Sequence, residues 1–82
     1  MIRLHKIELL VTPNCPGCKK VERMLDSWHV EYAIIDVTKD QAVLEKYFIA
    51  SAPGIVIDGE LEFIGIPAEN QLKEKLGIKV KT

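Results

Sequence analysis

Cys15 and Cys18 are the two cysteines of the chain, and they stand in the run "CPGC" with only Pro16 and Gly17 between them. Thiols at this spacing hold half of a metal site, form a short structural staple, or open and close as a redox pair. A staple is disfavoured, because so short a loop yields the least entropic stabilisation. A structural zinc site needs four ligands. His5 and His29 are the two histidines available. His5 falls early in the first predicted strand, at the end away from the motif. His29 falls at the far end of the predicted helix, roughly 15–20 Å away at 1.5 Å per residue. Both read as solvated surface groups. Haem attachment is excluded, since Lys19 rather than histidine follows the second cysteine.

The residues after the motif recur at helical spacing. Cys18, Val21, Met24, Leu25 and Trp28 form an apolar stripe, with Lys19, Lys20, Glu22, Arg23 and Asp26 on the other side. The helix therefore opens at the motif, with Cys15 as its cap and Pro16 at its first position, where the missing N–H costs nothing. A sulfur at that cap faces unpaired backbone N–H groups and the positive end of the helix dipole. Such surroundings bring a cysteine pKa from about 8.5 into the ~3.5–7.5 range. Cys18, one turn later and on the apolar stripe, is expected to be buried and less ionised. This asymmetry suits exchange chemistry. An accessible thiolate attacks a partner disulfide, and a shielded thiol then attacks the mixed disulfide and releases the product. Cys15 is the expected nucleophile and Cys18 the resolving thiol. Lys19 and Lys20 read as a solvated helix face, since screening weakens any help they give the sulfur.

The other elements must carry this junction. Residues 4–11, "LHKIELLV", end in a near-continuous apolar run that predicts a central strand. Residues 32–37, "YAIIDV", predict a second buried strand. Thr38 and Gln41 stand in capping-box spacing ahead of a short helix with Val43, Leu44, Tyr47 and Phe48 as its stripe. "SAPG" is turn-like, and "IVI-DG-ELEF" predicts a hairpin closed by a two-residue I′ turn at Asp58-Gly59. Glu60 to Phe63 alternate as an exposed or edge strand should. Pro67 fits the first position of a last helix carried by Ala68, Leu72 and Leu76, with Gly77 as its C-terminal cap. The order β-α-β-α-β-β-α predicts an α/β fold with a mixed four-stranded sheet flanked by helices. Trp28, Tyr32, Tyr47 and Phe63 read as core. Glu8 is expected to point toward a sheet end rather than to serve the thiols as a buried acid.

At 82 residues the whole chain is expected to be one domain, and 48% apolar with 28% charged residues is ordinary globular composition. A net charge of −1 leaves no basic stripe for phosphates, which excludes nucleic acid as the main partner. The apolar runs are far shorter than the ~20 residues of a spanning helix. Arg3, His5, Lys6 and Glu8 break the N-terminal run, so it fails as a signal peptide and a cytoplasmic protein is expected. In that compartment disulfides are catalytic or sensing.

These features resemble the thioredoxin superfamily and, within it, a small glutaredoxin-like or thioredoxin-like redoxin. The resemblance covers residues 4 to 77. It rests on "CPGC" at a strand-to-helix junction, "SAPGIVIDG" well downstream, and the Pro-started final helix. It implies a cis peptide bond between Ala52 and Pro53 beside the cysteines. The Ala52 backbone would then pair with an extended partner, strand against strand, and Gly54 would allow close approach. It also implies that Asn14, just before the motif, and Gly65, before the last helix, lie near a bound substrate. Several positions depart from the family pattern. Gly17 replaces the tyrosine usual in glutaredoxins, and Thr12-Pro13-Asn14 offers no basic residue. Gly65-Ile66-Pro67-Ala68 keeps one glycine of a glutathione-binding pair and lacks the N–H at Pro67. Asn14 stands where thioredoxins carry tryptophan, and Leu9 where they carry a buried acid.

The resemblance implies a dithiol–disulfide oxidoreductase that needs no bound prosthetic group and works as a monomer on protein or small-molecule disulfides. A flavoprotein reductase, or glutathione, would return its electrons. Two other readings stay open. One is a metal or iron–sulfur carrier that joins two such cysteine pairs across a dimer. The other is a redox-sensing or docking module without turnover.

Overall fold

The strand β1 (Ile7–Val11) lies in the interior of a four-stranded sheet. The computed structural model describes residues 5–47 and 52–78. From β1 the chain runs through α1 (Pro16–Ser27), β2 (Ala33–Asp36), α2 (Gln41–Tyr47), β3 (Gly54–Ile57), β4 (Glu60–Ile64) and α3 (Glu69–Leu76). β1 pairs parallel with β2 and antiparallel with β3, and β3 pairs antiparallel with β4. The fold is the expected mixed α/β sheet. Leu4 and Phe48, which the sequence reading placed in the first strand and the second helix, lie outside the described residues.

Strand pleating divides the core. Ile7, Leu9, Ile55 and Ile57 point to one face and pack with Val21, Leu25, Leu72 and Leu76 of α1 and α3. Leu10 and Val56 point to the other, where they meet Val37 and the partly buried Val43 and Tyr47. A strand carrying apolar residues on both faces reads as a continuous run, which is why "ELLV" shows no alternation. Glu8 shares the parity of Leu10, so it lies on the face opposite α1 and away from the cysteines. Trp28, Tyr32 and Phe63 pack at the margin of the first cluster and Tyr47 at the second.

Four local expectations are corrected. β2 is an edge strand, and Ile34 is 52% exposed. An apolar run looks alike in the middle of a sheet and at its margin. The cap of α2 is Asp40, whose Oδ1 accepts the Val43 N–H at 3.2 Å. Thr38 instead donates its N–H and hydroxyl to Asp36 Oδ1, at 2.9 and 2.6 Å. That short-range turn takes Thr38 out of the competition for the helix start. α3 begins at Glu69, because Ala68 keeps extended angles (φ −67°, ψ 139°) and acts as the cap, so Pro67 precedes the helix. In β4 the alternation is broken by a bulge: Ile55 pairs with Phe63, and Val56 with Leu61. The extra residue turns Leu61 and Phe63 to opposite faces, and each reaches a different core cluster.

The turns follow their residues closely. Asp58 and Gly59 both take positive φ, 52° and 85°, as a I′ hairpin requires. His5 Nδ1 donates to Asp58 Oδ2 at 2.7 Å, and the Lys6 N–H donates to Oδ1 at 2.8 Å. His5 is therefore a clasp between the start of β1 and the hairpin rather than a free surface group. Gly77 closes α3 in the left-handed conformation, and the Ile78 N–H reaches back to the Lys73 carbonyl at 2.8 Å.

Candidate active site

β1 delivers the chain to the helix start through a sharp turn, in which Asn14 takes φ 57°, a conformation asparagine tolerates well. Cys15 is the N-cap of α1, with extended angles (φ −108°, ψ 99°), and Pro16 is the first helical residue. The Cys18 backbone N–H donates to Cys15 Sγ at 3.1 Å. The cap sulfur thus satisfies one of the orphan donors of the helix start. Cys15 and Cys18 form a disulfide across 5.3 Å between their Cα atoms. Cys15 is half-buried at the surface, whereas Cys18 is 2% exposed within the apolar face of α1.

The second part of the site comes from the start of β3. The Ala52–Pro53 peptide bond is cis, and Pro53 is fully buried. A Cβ added to Gly17 would stand 3.3 Å from Pro53 Cδ and 3.4 Å from Ile66 Cδ1. α1 thus approaches this loop tightly at Gly17, and a larger residue there would force the loop or Ile66 to move. Gly54 pairs with Leu10 on β1 and Ile64 on β4, which ties the loop to the centre of the sheet. The Gly65 N–H donates to the Pro53 carbonyl at 2.7 Å. Gly65 thus anchors the exit of β4 to the proline loop, and its N–H is already engaged.

The structure brings Cys15, Pro16, Gly17, Cys18, Pro53 and Gly65 together, with Ala52 and Gly54 flanking the proline. Asn14 lies on the other side, in a groove of about 680 Å³ beside the cysteines. Two features escaped sequence reasoning. Ile66, 51% exposed, leans over Gly17, and Glu22, Ile34 and Asp36 share the groove with Cys15 and Cys18. An isoleucine between Gly65 and Pro67, outside any amphipathic pattern, was the available signal for the first. Asp36 has its carboxyl held below the usual carboxylate range by the hydrogen bond from the Thr38 hydroxyl. Among the described residues no group of three or more His, Cys, Asp or Glu side chains gathers to hold a metal.

The model of the thioredoxin domain matches residues 5–77. The chain belongs to the thioredoxin superfamily. It is 37% identical to a thioredoxin of Methanocaldococcus jannaschii, over 87% of this chain and 91% of that one. The crystal structure of a point mutant of a thioredoxin-like protein superposes with a TM-score of 0.76 at 37% identity, covering 90% of this chain and 97% of that one. A protein disulfide oxidoreductase from Aeropyrum pernix superposes at 0.72 and 25% identity, over 88% of this chain and 35% of that one. With its cysteine pair at disulfide distance on the thioredoxin fold, the protein is a dithiol–disulfide oxidoreductase. Among the described residues no helix is long and apolar enough to cross a membrane.

Proposed function

We propose that this protein reduces disulfides in other proteins, in the cytoplasm, with Cys15 as nucleophile and Cys18 as resolving thiol. The carrying observation is the cap: the Cys18 N–H aimed at Cys15 Sγ at 3.1 Å, with Cys18 itself buried. In the reduced protein the same N–H and the helix dipole stabilise a Cys15 thiolate. The thiolate attacks one sulfur of the partner's disulfide and releases the other. Cys18 then attacks Cys15, the mixed disulfide breaks, and the partner leaves with both sulfurs reduced. The cysteine pair carries the electrons, so no bound prosthetic group is needed.

The surface around Cys15 favours a polypeptide over glutathione. Ile66 offers exposed apolar contact, the Gly65 N–H is spent on Pro53, and Pro67 has no N–H to give. A small tripeptide held through its two carboxylates finds few donors there. An extended chain would run past Ala52 and Pro53 with an apolar side chain against Ile66. The matching electron source is a flavoprotein disulfide reductase rather than glutathione, and a monomer suffices.

Turnover of a protein disulfide with dithiothreitol, in wild type, Cys15→Ser and Cys18→Ser, tests the roles. Cys15→Ser should be inactive, and Cys18→Ser should accumulate a mixed disulfide detectable by mass. Full turnover in Cys15→Ser would refute the assignment. A donor comparison tests the partner reading, which fails if glutathione re-reduces the Cys15–Cys18 bond as fast as a thioredoxin reductase does.

A further inference from the structure

Closing the disulfide requires Cys18 to lose a proton. Cys18 is 2% exposed on an apolar helix face, where burial disfavours the thiolate. Among the described residues the core holds no buried polar or charged side chain, and the strand residues packed with α1, Ile7, Leu9, Ile55 and Ile57, are all buried and apolar. No acid inside the protein can take the proton. Cys18 also lines the groove of about 680 Å³ on the side of Cys15 toward β2, so the groove is the open space that borders this otherwise buried residue.

Two carboxylates line the groove, Glu22 and Asp36. Asp36 is occupied: its Oδ1 accepts both the N–H and the hydroxyl of Thr38, and these bonds hold the carboxyl below the usual range, which makes it a poor proton acceptor. Glu22 has no hydrogen-bond or ion-pair partner among the described residues. The sequence pattern set Glu22 on the polar side of α1, but it follows Cys18 by four positions and lies at the margin of the apolar stripe, so the two side chains are neighbours along the helix, with Cβ atoms about 5–6 Å apart. That separation suits a carboxylate reaching the thiol directly or through one water. The charged and titratable groups around Glu22 are Lys19 and Asp26 on α1, the Tyr32 hydroxyl ahead of β2, and Asp36 at its end.

We propose that Glu22 is the proton acceptor for Cys18 when the mixed disulfide is resolved. The Cys18 thiol gives its proton to the Glu22 carboxylate, and its electron pair forms the bond to Cys15 Sγ. The bond between Cys15 and the partner sulfur breaks, and the partner leaves as a thiolate. The chain's dithiol is oxidised and the partner's disulfide is reduced. Glu22 releases the proton to solvent, and returns one to Cys18 when the Cys15–Cys18 bond is reduced again.

The test uses the full chain, reduced, mixed with excess dithiobis(nitrobenzoate). Cys15 attack releases one coloured thionitrobenzoate and Cys18 resolution releases the second, so the two steps read as two phases. Glu22→Gln should leave the first phase unchanged and slow the second about tenfold or more, toward the lower end of general-base effects. Glu22→Asp should recover part of the lost rate, and Asp36→Asn should slow the second phase far less than Glu22→Gln does. An unchanged second phase in Glu22→Gln, an equal slowing of both phases, or an equal slowing by Asp36→Asn overturns the proposal. The assignment rests on Cys18 being the resolving thiol. Cys18→Ser checks that separately, since a second phase surviving there sinks the proposed thiol roles whatever Glu22 does.

Discussion

The backbone N–H of Cys18 points at the sulfur of Cys15 from 3.1 Å, so one cysteine of the pair helps to hold the charge of the other. The contact is available because Cys15 is the cap of α1 and Pro16, at the first position, has no N–H to compete. A hydrogen bond to the charged form, added to the helix dipole, lowers a thiol pKa.

Reduced Cys18→Ser protein should therefore show a Cys15 thiol titrating in the ~3.5–7.5 range, well below the ordinary value of about 8.5. Thiolate ultraviolet absorbance against pH reads it directly. A titration at the ordinary value would mean that the cap does not act on the sulfur.

Ile66→Ser should raise KM for a cystine-containing protein while leaving the melting temperature nearly unchanged, because the side chain is half exposed. A loss of about fivefold in kcat/KM is expected, equivalent to about 1 kcal/mol of apolar contact. Reduction of a small, fully polar disulfide should change much less. Equal losses on both substrates would place Ile66 outside partner binding.

Leu25→Ala should remove about 2–5 kcal/mol, since the residue is fully buried between α1 and the sheet. For a domain of this size the melting temperature then falls by about 10 °C or more. Ser27→Ala, on the exposed end of the same helix, serves as the comparison and should shift it far less.

Acid should loosen the clasp between the hairpin and β1. The hydrogen bond from His5, followed by that from the Lys6 N–H, holds the Asp58 carboxyl below the usual aspartate range. Its folded-state pKa is depressed, so its stabilisation is complete above the unfolded value of about 3.9 and disappears as pH falls through the folded value. Asp58→Asn keeps the turn preference but cannot carry the charge. The melting difference between wild type and Asp58→Asn should therefore be largest near neutrality and shrink below about pH 4. A difference that stays constant across that range would exclude the linkage.

Much of the site was legible in local patterns. The stripe from Cys18 to Trp28, the cap at Cys15 and the Asp58-Gly59 turn depend on residues within a helical turn or a hairpin of one another, and all three stand in the structure. The cis bond at Ala52–Pro53 was legible only through resemblance, since most bonds to proline are trans. Competition among neighbours hid the start of α2: Thr38 fits the capping spacing, but Asp36 binds it first and Asp40 takes the cap. The bulge in β4 was hidden because "ELEF" alternates correctly, while the pairing with β3 inserts an extra residue.

The sequence by itself determined that a strand meets a helix at a proline-spaced cysteine pair, with the first sulfur at the cap and the second on the apolar stripe. Those placements come from backbone geometry over a few residues, which neighbouring side chains encode. Only the tertiary structure decided that Ile66 and Pro53 close on Gly17, that β2 lies at the edge, and that Glu22 and Asp36 border the groove beside Cys18. These contacts follow from the strand order β2-β1-β3-β4. That order is chosen by how two apolar sheet faces are covered at once, a property of the whole chain that no single segment displays.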